Sequence, residues 1–193
     1  MKDLFITHCF STPIANTKFS FNCSYLAHLA YRIKELNPTG RNISNRSGWQ
    51  SLNLELSDKE LKSFELELTK TINVYWKNAC NGKNILTLDN MWFNINPTSS
   101  YNVSHLHPNC KVSGAYYVQV PKDSGRIVFE HPVSSFEYDW TDKDFISESP
   151  ITCSLWAYEP EENLCMFFPS WIKHGVETNK SNRDRISISF NYS

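Results

Sequence analysis

The chain has 193 residues, 40% of them hydrophobic, which is typical of a folded globular protein and not of a disordered one. Nineteen basic against twenty acidic residues leave a formal net charge of −1, so the sequence offers no basic surface for nucleic acid or for a membrane. No window is apolar enough to span a bilayer and the first residues lack the apolar core of a signal peptide, so we expect a cytoplasmic protein. The six cysteines form no CxxC pair, and we interpret them as reduced thiols.

Two amphipathic helices are predicted in the first half of the chain. Apolar spacing predicts the first over residues 24–36, with Asn22 or Ser24 as its N-cap. The second is predicted to start after Ser57, which with Glu60 matches the capping-box pattern, in which a hydroxyl and a carboxylate accept hydrogen bonds from free amides of the first turn. Each helix has an apolar stripe to bury, and neither carries a cofactor motif.

The second half of the chain is predicted to be a β-structure. Short β-branched and aromatic runs separated by Pro, Gly and Asn predict strands at 86–95, 111–120, 126–130, 151–157, 165–168 and 185–191. We therefore expect a single domain of residues 1–193, mainly β, with a helical N-terminal layer (1–84) on a barrel or sandwich core (85–193). The acidic segment 134–150 is expected to be an insertion, with a lid over the core as one interpretation.

Two histidines separated by one residue, His105 and His107, form the pattern with the most chemical content. Residues i and i+2 of an extended strand point to the same face, so both imidazoles can bind one divalent metal ion. His174 lies in another segment of strand and turn character and can supply a third ligand. Three ligands on one face of an octahedral metal leave the opposite face open for cosubstrate, oxygen and substrate.

A second pattern lies on the last predicted strand, where Arg185 and Ser187 share one face. Arginine can bind a carboxylate through two parallel hydrogen bonds, and a serine hydroxyl can add a third. Arg185 follows His174 by eleven residues, which is enough for one turn and an antiparallel return. A 2-oxo acid that chelates the metal would then have its far carboxylate at Arg185.

Each of these residues also has an ordinary structural explanation. An isolated HxH pair can be a surface or packing accident, His174 alone can be a hydrogen-bonded turn residue, and Arg185 alone can cover apolar neighbours with its stem. Their occurrence in the order HxH, distal histidine and RxS on a final strand favours one site for a metal and a carboxylate.

The same residues belong to a longer pattern that resembles a known family, the 2-oxoglutarate/Fe(II)-dependent oxygenases of marine bacteria and their cyanophages. The matching segments are Ser44-Asn45, Gly48–Ser51, Trp92–Asn94, His105–Pro108, Ser113–Val118, Pro121, Gly125, Phe168–Trp171, His174 and Arg185–Asn191. The resemblance implies a double-stranded β-helix core (a jelly-roll, cupin-like fold), Fe(II) and 2-oxoglutarate as cofactors, and a bacterial or phage-infected cell as the setting.

Carried over to this sequence, the resemblance implies that His174 is the distal iron ligand and that Arg185, with Ser187 beside it, binds the distal carboxylate of 2-oxoglutarate. Asn94 and Tyr117 are further candidates for lining the cofactor pocket, although packing explains both residues equally well. The protein is expected to be an oxidoreductase, a dioxygenase that hydroxylates a small molecule or a peptide. A homodimer is an open alternative to a monomer.

The ligand set and the function each leave alternatives open. The wider superfamily has an acidic residue where this chain has His107. Three histidines can bind the metal, or one of His105 and His107 can bind it together with Glu130, or two histidines and water can suffice, and His131 also lies nearby in sequence. A cupin-like metalloprotein would need no RxS pair, and a non-enzymatic β-sandwich accessory or virion protein would need no metal.

Overall fold

The structure, a computed structural model, describes residues 5–133, 147 and 149–193. The helices in these residues are α1 (Cys23–Leu36) and α2 (Lys59–Ala79). The strands are β1 (Ala15–Lys18), β2 (Asn45–Arg46), β3 (Trp49–Gln50), β4 (Leu88–Asn96), β5 (Tyr101–His105), β6 (Val112–Gln119), β7 (Ile127–Glu130), β8 (Leu155–Tyr158), β9 (Leu164–Pro169), β10 (His174–Val176) and β11 (Arg185–Tyr192). The predicted lid, 134–150, lies almost entirely outside the described residues.

Two antiparallel sheets form the core of the protein. The larger sheet has the order β1-β9-β6-β11-β4-β3, and the smaller one has the order β2-β5-β10-β7-β8. The chain alternates between the sheets, because β4, β6, β9 and β11 belong to the larger one and β5, β7, β8 and β10 to the smaller one. This arrangement is a double-stranded β-helix, and it confirms the fold class predicted from the sequence.

The central strand β11 has two different faces, one in the apolar core beneath the helices and one in the polar space between the two sheets. Ile186, Ile188 and Phe190 are fully buried and pack with residues of both helices. Alternate residues of a strand point to opposite faces, so Arg185 and Ser187 face the space between the two sheets, where both line a pocket. The helices therefore cover the outer face of the larger sheet and leave its inner face free for chemistry.

The N-terminal ends of the helices differ in part from the expectation. Asn22, one of the two N-caps predicted for α1, caps this helix by accepting a hydrogen bond from Tyr25 N at 3.0 Å. The cap of α2 is Asp58 and not Ser57, because the Asp58 carboxylate accepts from two amides of the first turn at 2.9 and 3.1 Å. Glu60 accepts from Asn22 N at 3.0 Å instead of closing a capping box, and so connects the starts of the two helices.

Some strands were not predicted because their partners, and not their own residues, define them. β1 pairs with β9, β2 with β5, and β3 with β4, and each of these three is short. β2 and β3 place residues 45–50 at neighbouring edges of the two sheets. Ser44, which directly precedes β2, thereby reaches the pocket that Arg185 also lines.

Candidate metal centre

Three histidine side chains converge between the two sheets. His105 ends β5, His174 begins β10 and is its register partner, and His107 follows two residues after His105. One ring nitrogen from each of the three lies within 4.8 Å of the others, and His105 Nε2 is 3.2 Å from His107 Nε2. The sequence predicted these three residues as ligands, and the fold brings all three together.

The hydrogen bonds of the rings show which nitrogen is free to bind a metal. His105 Nδ1 lies 2.8 Å from Val103 O and His174 Nδ1 lies 3.1 Å from Ile172 O. A carbonyl oxygen only accepts, so each Nδ1 carries the proton and each Nε2 carries a lone pair. Lone pairs facing each other at short range repel unless a cation lies between them, and this donor set therefore fits a divalent metal ion.

Burial keeps all three rings neutral. It lowers the pKa of His174 to about 3 and that of His107 to about 4, and it also lowers the pKa of His105. Metal ligands must be unprotonated, so the site is ready to bind a metal at neutral pH without first releasing a proton.

The carboxylate that the sequence left open as a ligand lies elsewhere. Glu130 accepts a hydrogen bond from Ser104 Oγ and lines a different pocket, together with His131. Ser104 precedes His105 on β5, so its side chain points to the opposite face of that strand. Among the described residues, the cluster able to hold a metal contains His105, His107 and His174 and no acidic side chain.

Arg185 is a buried cation at the far end of the same pocket. It is 2% exposed, and its Nη1 donates to the backbone oxygens of Ser124 and Gly125 at 2.5 and 3.2 Å. Among the described residues, no carboxylate forms an ion pair with it. Because an uncompensated buried charge is unfavourable, this guanidinium fits a carboxylate supplied by a ligand.

The other three predicted pocket residues surround Arg185. Ser187 and Tyr117 face each other across β11 and β6, and Asn94 is the partner of Ser187 on β4. All three are buried and line the pocket that contains the histidines and Arg185. Asn94 Nδ2 donates to Ser189 Oγ at 2.9 Å, which gives Asn94 a structural role in addition to its place in the wall. Burial raises the pKa of Tyr117 to about 12, so its phenol stays a hydrogen-bond donor.

One pocket thus holds the histidines at one end and Arg185 at the other. Phe168 and Ile127 form its apolar wall. The opposite wall is polar and uncharged, and the side chains that form it are Ser44, Asn94, Asn96, Asn102, Ser187 and Ser189. A small ligand with a metal-chelating end near the histidines and an anionic end near Arg185 would match this pocket.

A family model for 2OG-Fe(II) oxygenases matches residues 90–191, which is more than half of the chain and includes every residue described above except Ser44. The chain belongs to the 2OG-Fe(II) oxygenase family. Fe(II) and 2-oxoglutarate are therefore the cofactors of this oxidoreductase, and the cupin-like and non-enzymatic alternatives are set aside. No curated protein sequence matches the chain.

Solved structures with the same fold include several other oxygenases. A prolyl-4-hydroxylase from Pseudomonas putida superposes with a TM-score of 0.65 at 13% identity, covering 94% of this chain and 92% of its own. A prolyl hydroxylase from Trichoplax adhaerens, in complex with a peptide fragment of hypoxia inducible factor, gives 0.64 at 14% identity, with 94% and 82% covered. The carbocyclase SnoK from nogalamycin biosynthesis gives 0.66 at 11% identity, with 94% and 79% covered. At these identities the likeness concerns the fold alone.

The residues that hold His107 in this oxygenase were not predicted from the sequence. Asn191 Oδ1 lies 2.5 Å from His107 Nδ1 and also accepts from Ser113 Oγ at 2.7 Å, while Asn191 Nδ2 donates to Asn90 Oδ1 at 2.9 Å. These bonds fix the amide so that its oxygen faces the ring, which leaves His107 Nε2 for the metal. The indole of Trp92 stacks on the other side, with ring centres 6.1 Å apart and planes at 24°. The alternation of β11 could have identified Asn191, since it shares a face with Arg185.

The ring of Trp171, in the turn before His174, is not part of the core. The side chain is 54% exposed, whereas the next residue, Ile172, is buried in the apolar cluster near His174. The turn that presents His174 is fixed instead by its backbone, because Ile172 N donates to Pro169 O at 3.1 Å and His107 N donates to Ser170 O at 2.9 Å.

Replacing Asn191 by alanine is expected to weaken metal binding by about 10- to 100-fold, because His107 loses the acceptor that orients its ring. Asn191→Asp keeps an acceptor oxygen and is expected to retain most of the affinity. Competition with a chromophoric chelator measures the metal affinity directly. Asn73→Ala is the matched control, since this amide is also hydrogen-bonded but lies on α2 and contacts Leu86. An unchanged affinity in Asn191→Ala would contradict the role of the amide.

Proposed function

We propose that His105, His107 and His174 bind Fe(II) through their Nε2 atoms and that the protein couples the oxidation of a substrate to the conversion of 2-oxoglutarate. The observation that carries the proposal is the convergence of three neutral, hydrogen-bonded imidazoles in one pocket with an unpaired buried arginine. Family membership supplies the identity of the metal and the cosubstrate.

Arg185 is proposed to bind the distal carboxylate of 2-oxoglutarate, with hydrogen bonds added by the hydroxyl groups of Ser187 and Tyr117. A planar guanidinium matches a carboxylate, and it holds its charge at any physiological pH. Tyr117 acts as a neutral donor because its pKa is raised. Asn94, hydrogen-bonded to Ser189, is proposed to hold the polar wall beside the cosubstrate.

When bound, iron and 2-oxoglutarate supply the oxidising chemistry, in which decarboxylation to succinate accompanies oxidation of the substrate. The protein orients the three imidazoles through their Nδ1 hydrogen bonds and excludes water with the apolar side chains around His174, such as Phe129 and Phe168. Hydroxylation is the proposed outcome. The substrate class proposed is a small molecule or a peptide, because one structural neighbour holds a peptide and another belongs to nogalamycin biosynthesis.

The setting proposed for this activity is the reducing cytoplasm of a bacterium or of a phage-infected bacterial cell. All six cysteines are free thiols, which supports a reducing compartment. The sequence resemblance to oxygenases of marine bacteria and cyanophages supplies the type of cell. Among the described residues, no helix is both long and apolar enough to cross a membrane.

The proposal is tested by adding Fe(II) and 2-oxoglutarate to the apoprotein without oxygen and recording the visible charge-transfer band of the metal chelate. The band is expected with both components present and with neither alone. Iron binding without the band would refute the proposed cosubstrate site, and no iron binding would refute the histidine centre. Zn(II), which binds imidazole but gives no such band, is the control metal.

A further inference from the structure

A second arginine, Arg41, contacts Trp92, one of the residues that line the pocket. Its stem is held by the protein, because Arg41 N donates to Gln50 O at 2.8 Å and its Nε donates to Ser51 O at 2.9 Å. Asn45 fixes the loop around it by donating to the backbone oxygens of Arg41 and Gly48 at 3.1 and 2.9 Å. The guanidinium is therefore positioned by the backbone and is not a freely moving surface group.

The head of Arg41 lies against Trp92. Its guanidinium carbon lies 5.8 Å from the ring centre of Trp92, which lines the pocket. The same indole stacks on His107, so Arg41 and a proposed metal ligand contact the same ring. A guanidinium on an aromatic face keeps its N–H edges free for an anion in the plane of the cation.

Among the residues that the structure describes, the charge of Arg41 has no counterpart. Its Nη2 is buried and has no hydrogen-bond partner there, and none of the ion pairs of those residues includes it. The loop 39–51 contains Arg46 and no acidic residue. Arg46 is exposed and its Nη1 donates to the backbone oxygens of Ile43 and Asn45, so it behaves as an ordinary surface residue. A buried donor without an acceptor is unfavourable, and Arg41 therefore lacks a partner that a ligand can supply.

The missing partner is not the distal carboxylate that Arg185 is proposed to bind. Trp92, which Arg41 contacts, pairs with Ser189, and Asn96 pairs with Arg185, so the residue that Arg41 contacts and the partner of Arg185 are four residues apart along β4. At about 3.3 Å per residue this is about 13 Å along the strand, and His107 stacks on Trp92. An anion at Arg41 would thus be separate from the carboxylate at Arg185.

We propose that Arg41 binds an oxyanion of the substrate and so selects acidic small molecules, those with a carboxylate or a phosphate group. The inference rests on the proposed function, because the anion would anchor a substrate whose reacting carbon lies at the histidine centre. Ser44, Asn96 and Asn102 line the same pocket and are uncharged, so they add hydrogen bonds for hydroxyl or amide groups of that substrate.

The test uses acetate and inorganic phosphate as probes and acetamide as the neutral counterpart of acetate. Protein with Fe(II) and 2-oxoglutarate is titrated without oxygen, while tryptophan fluorescence reports on Trp92 and the charge-transfer band reports on the cosubstrate. A saturable fluorescence change is expected with the anions and not with acetamide, and the band persists. The tighter of the two anions identifies the group as carboxylate or phosphate.

Variants assign this response to one residue. Arg41→Gln is expected to lose the fluorescence response to anions. Arg41→Lys is expected to need about ten times more anion, because the two-pronged geometry of the guanidinium is lost. The matched control, Arg46→Gln, is expected to respond as the wild type does. The proposal is overturned by an absent response in the wild type, by an equal response to acetamide, by an unchanged affinity in folded Arg41→Lys, or by a band that fades as anion is added. If no band forms at the start, the proposed cosubstrate site is refuted where iron is bound and the metal centre where it is not, and the same fluorescence titration still reads the Arg41 site.

Discussion

His174→Ala is expected to abolish both iron binding and iron-dependent succinate formation while the protein still folds. The substitution removes one of three imidazole donors, and the two that remain are neighbours on one segment and cannot enclose the metal from both sides. The ring also packs on Phe168, with centres 4.5 Å apart, so its loss should cost about 1–3 kcal/mol of stability. Iron titration and thermal unfolding without metal separate the two effects.

His28→Ala is the matched control, because this exposed imidazole lies on α1 and hydrogen-bonds only its own helix at Ser24 O among the described residues. It should bind iron and form succinate as the wild type does. Iron bound by folded His174→Ala with unchanged affinity would remove His174 from the ligand set.

Arg185→Gln is expected to weaken the binding of 2-oxoglutarate by about 30-fold or more without weakening the binding of iron. Removing one partner of a buried, hydrogen-bonded ion pair costs about 2–5 kcal/mol, and each 1.4 kcal/mol is about tenfold in affinity. Arg185→Lys keeps the charge but not the planar geometry, so its affinity for 2-oxoglutarate should lie between those of the wild type and Arg185→Gln. The measurement is the 2-oxoglutarate dependence of the charge-transfer band without oxygen.

Arg126→Gln supplies the control for the same chemical change. Arg126 lies next to the turn that Arg185 contacts, but it already has a carboxylate partner, since its Nη2 is 2.7 Å from Glu177 Oε1. Its substitution should leave the affinity for 2-oxoglutarate unchanged. If Arg185→Gln bound the cosubstrate as tightly as Arg126→Gln, the assignment of the carboxylate site would be wrong.

The part of the site that could be predicted from the sequence consists of residues whose chemistry is visible in one strand at a time. The spacing of Arg185 and Ser187 places both on one face of a strand, and alternation of this kind needs no knowledge of the partner strand. The HxH spacing predicted a shared metal site, and the three histidines do cluster, although β5 ends at His105 and His107 lies beyond it. A mainly β barrel or sandwich followed from short strands separated by turn residues, whereas the double-stranded β-helix was implied by the resemblance to the family.

The parts that could not be predicted depend on contacts between distant segments. Asn191 contacts His107 across 84 positions in sequence, and Arg41 reaches Trp92 only because the loop before β3 is placed beside β4. The N-cap of α2 was misassigned because Ser57 and Asp58 both suit that position, and the hydrogen bonds that decide between them involve the backbone. Alternation along β11 places Asn191 on the same face as Arg185, but no local pattern shows that it contacts His107, that Arg41 reaches Trp92, or which residue caps α2.

The place of β11 in the larger sheet has a consequence for how the protein is made. It is inserted between β4 and β6, strands that leave the ribosome long before it, and it carries Arg185 and Asn191 as well. Until residues 185–192 have been synthesised, β4 and β6 have no partner between them and the helices have only part of a sheet to cover. Because pairing of strands distant in sequence is slow to form, we expect the nascent chain to stay open and unable to take up iron until β11 has been made. A premature release of the chain would therefore yield an inactive polypeptide with exposed apolar surface, a substrate for chaperones and proteases and not a weakened enzyme.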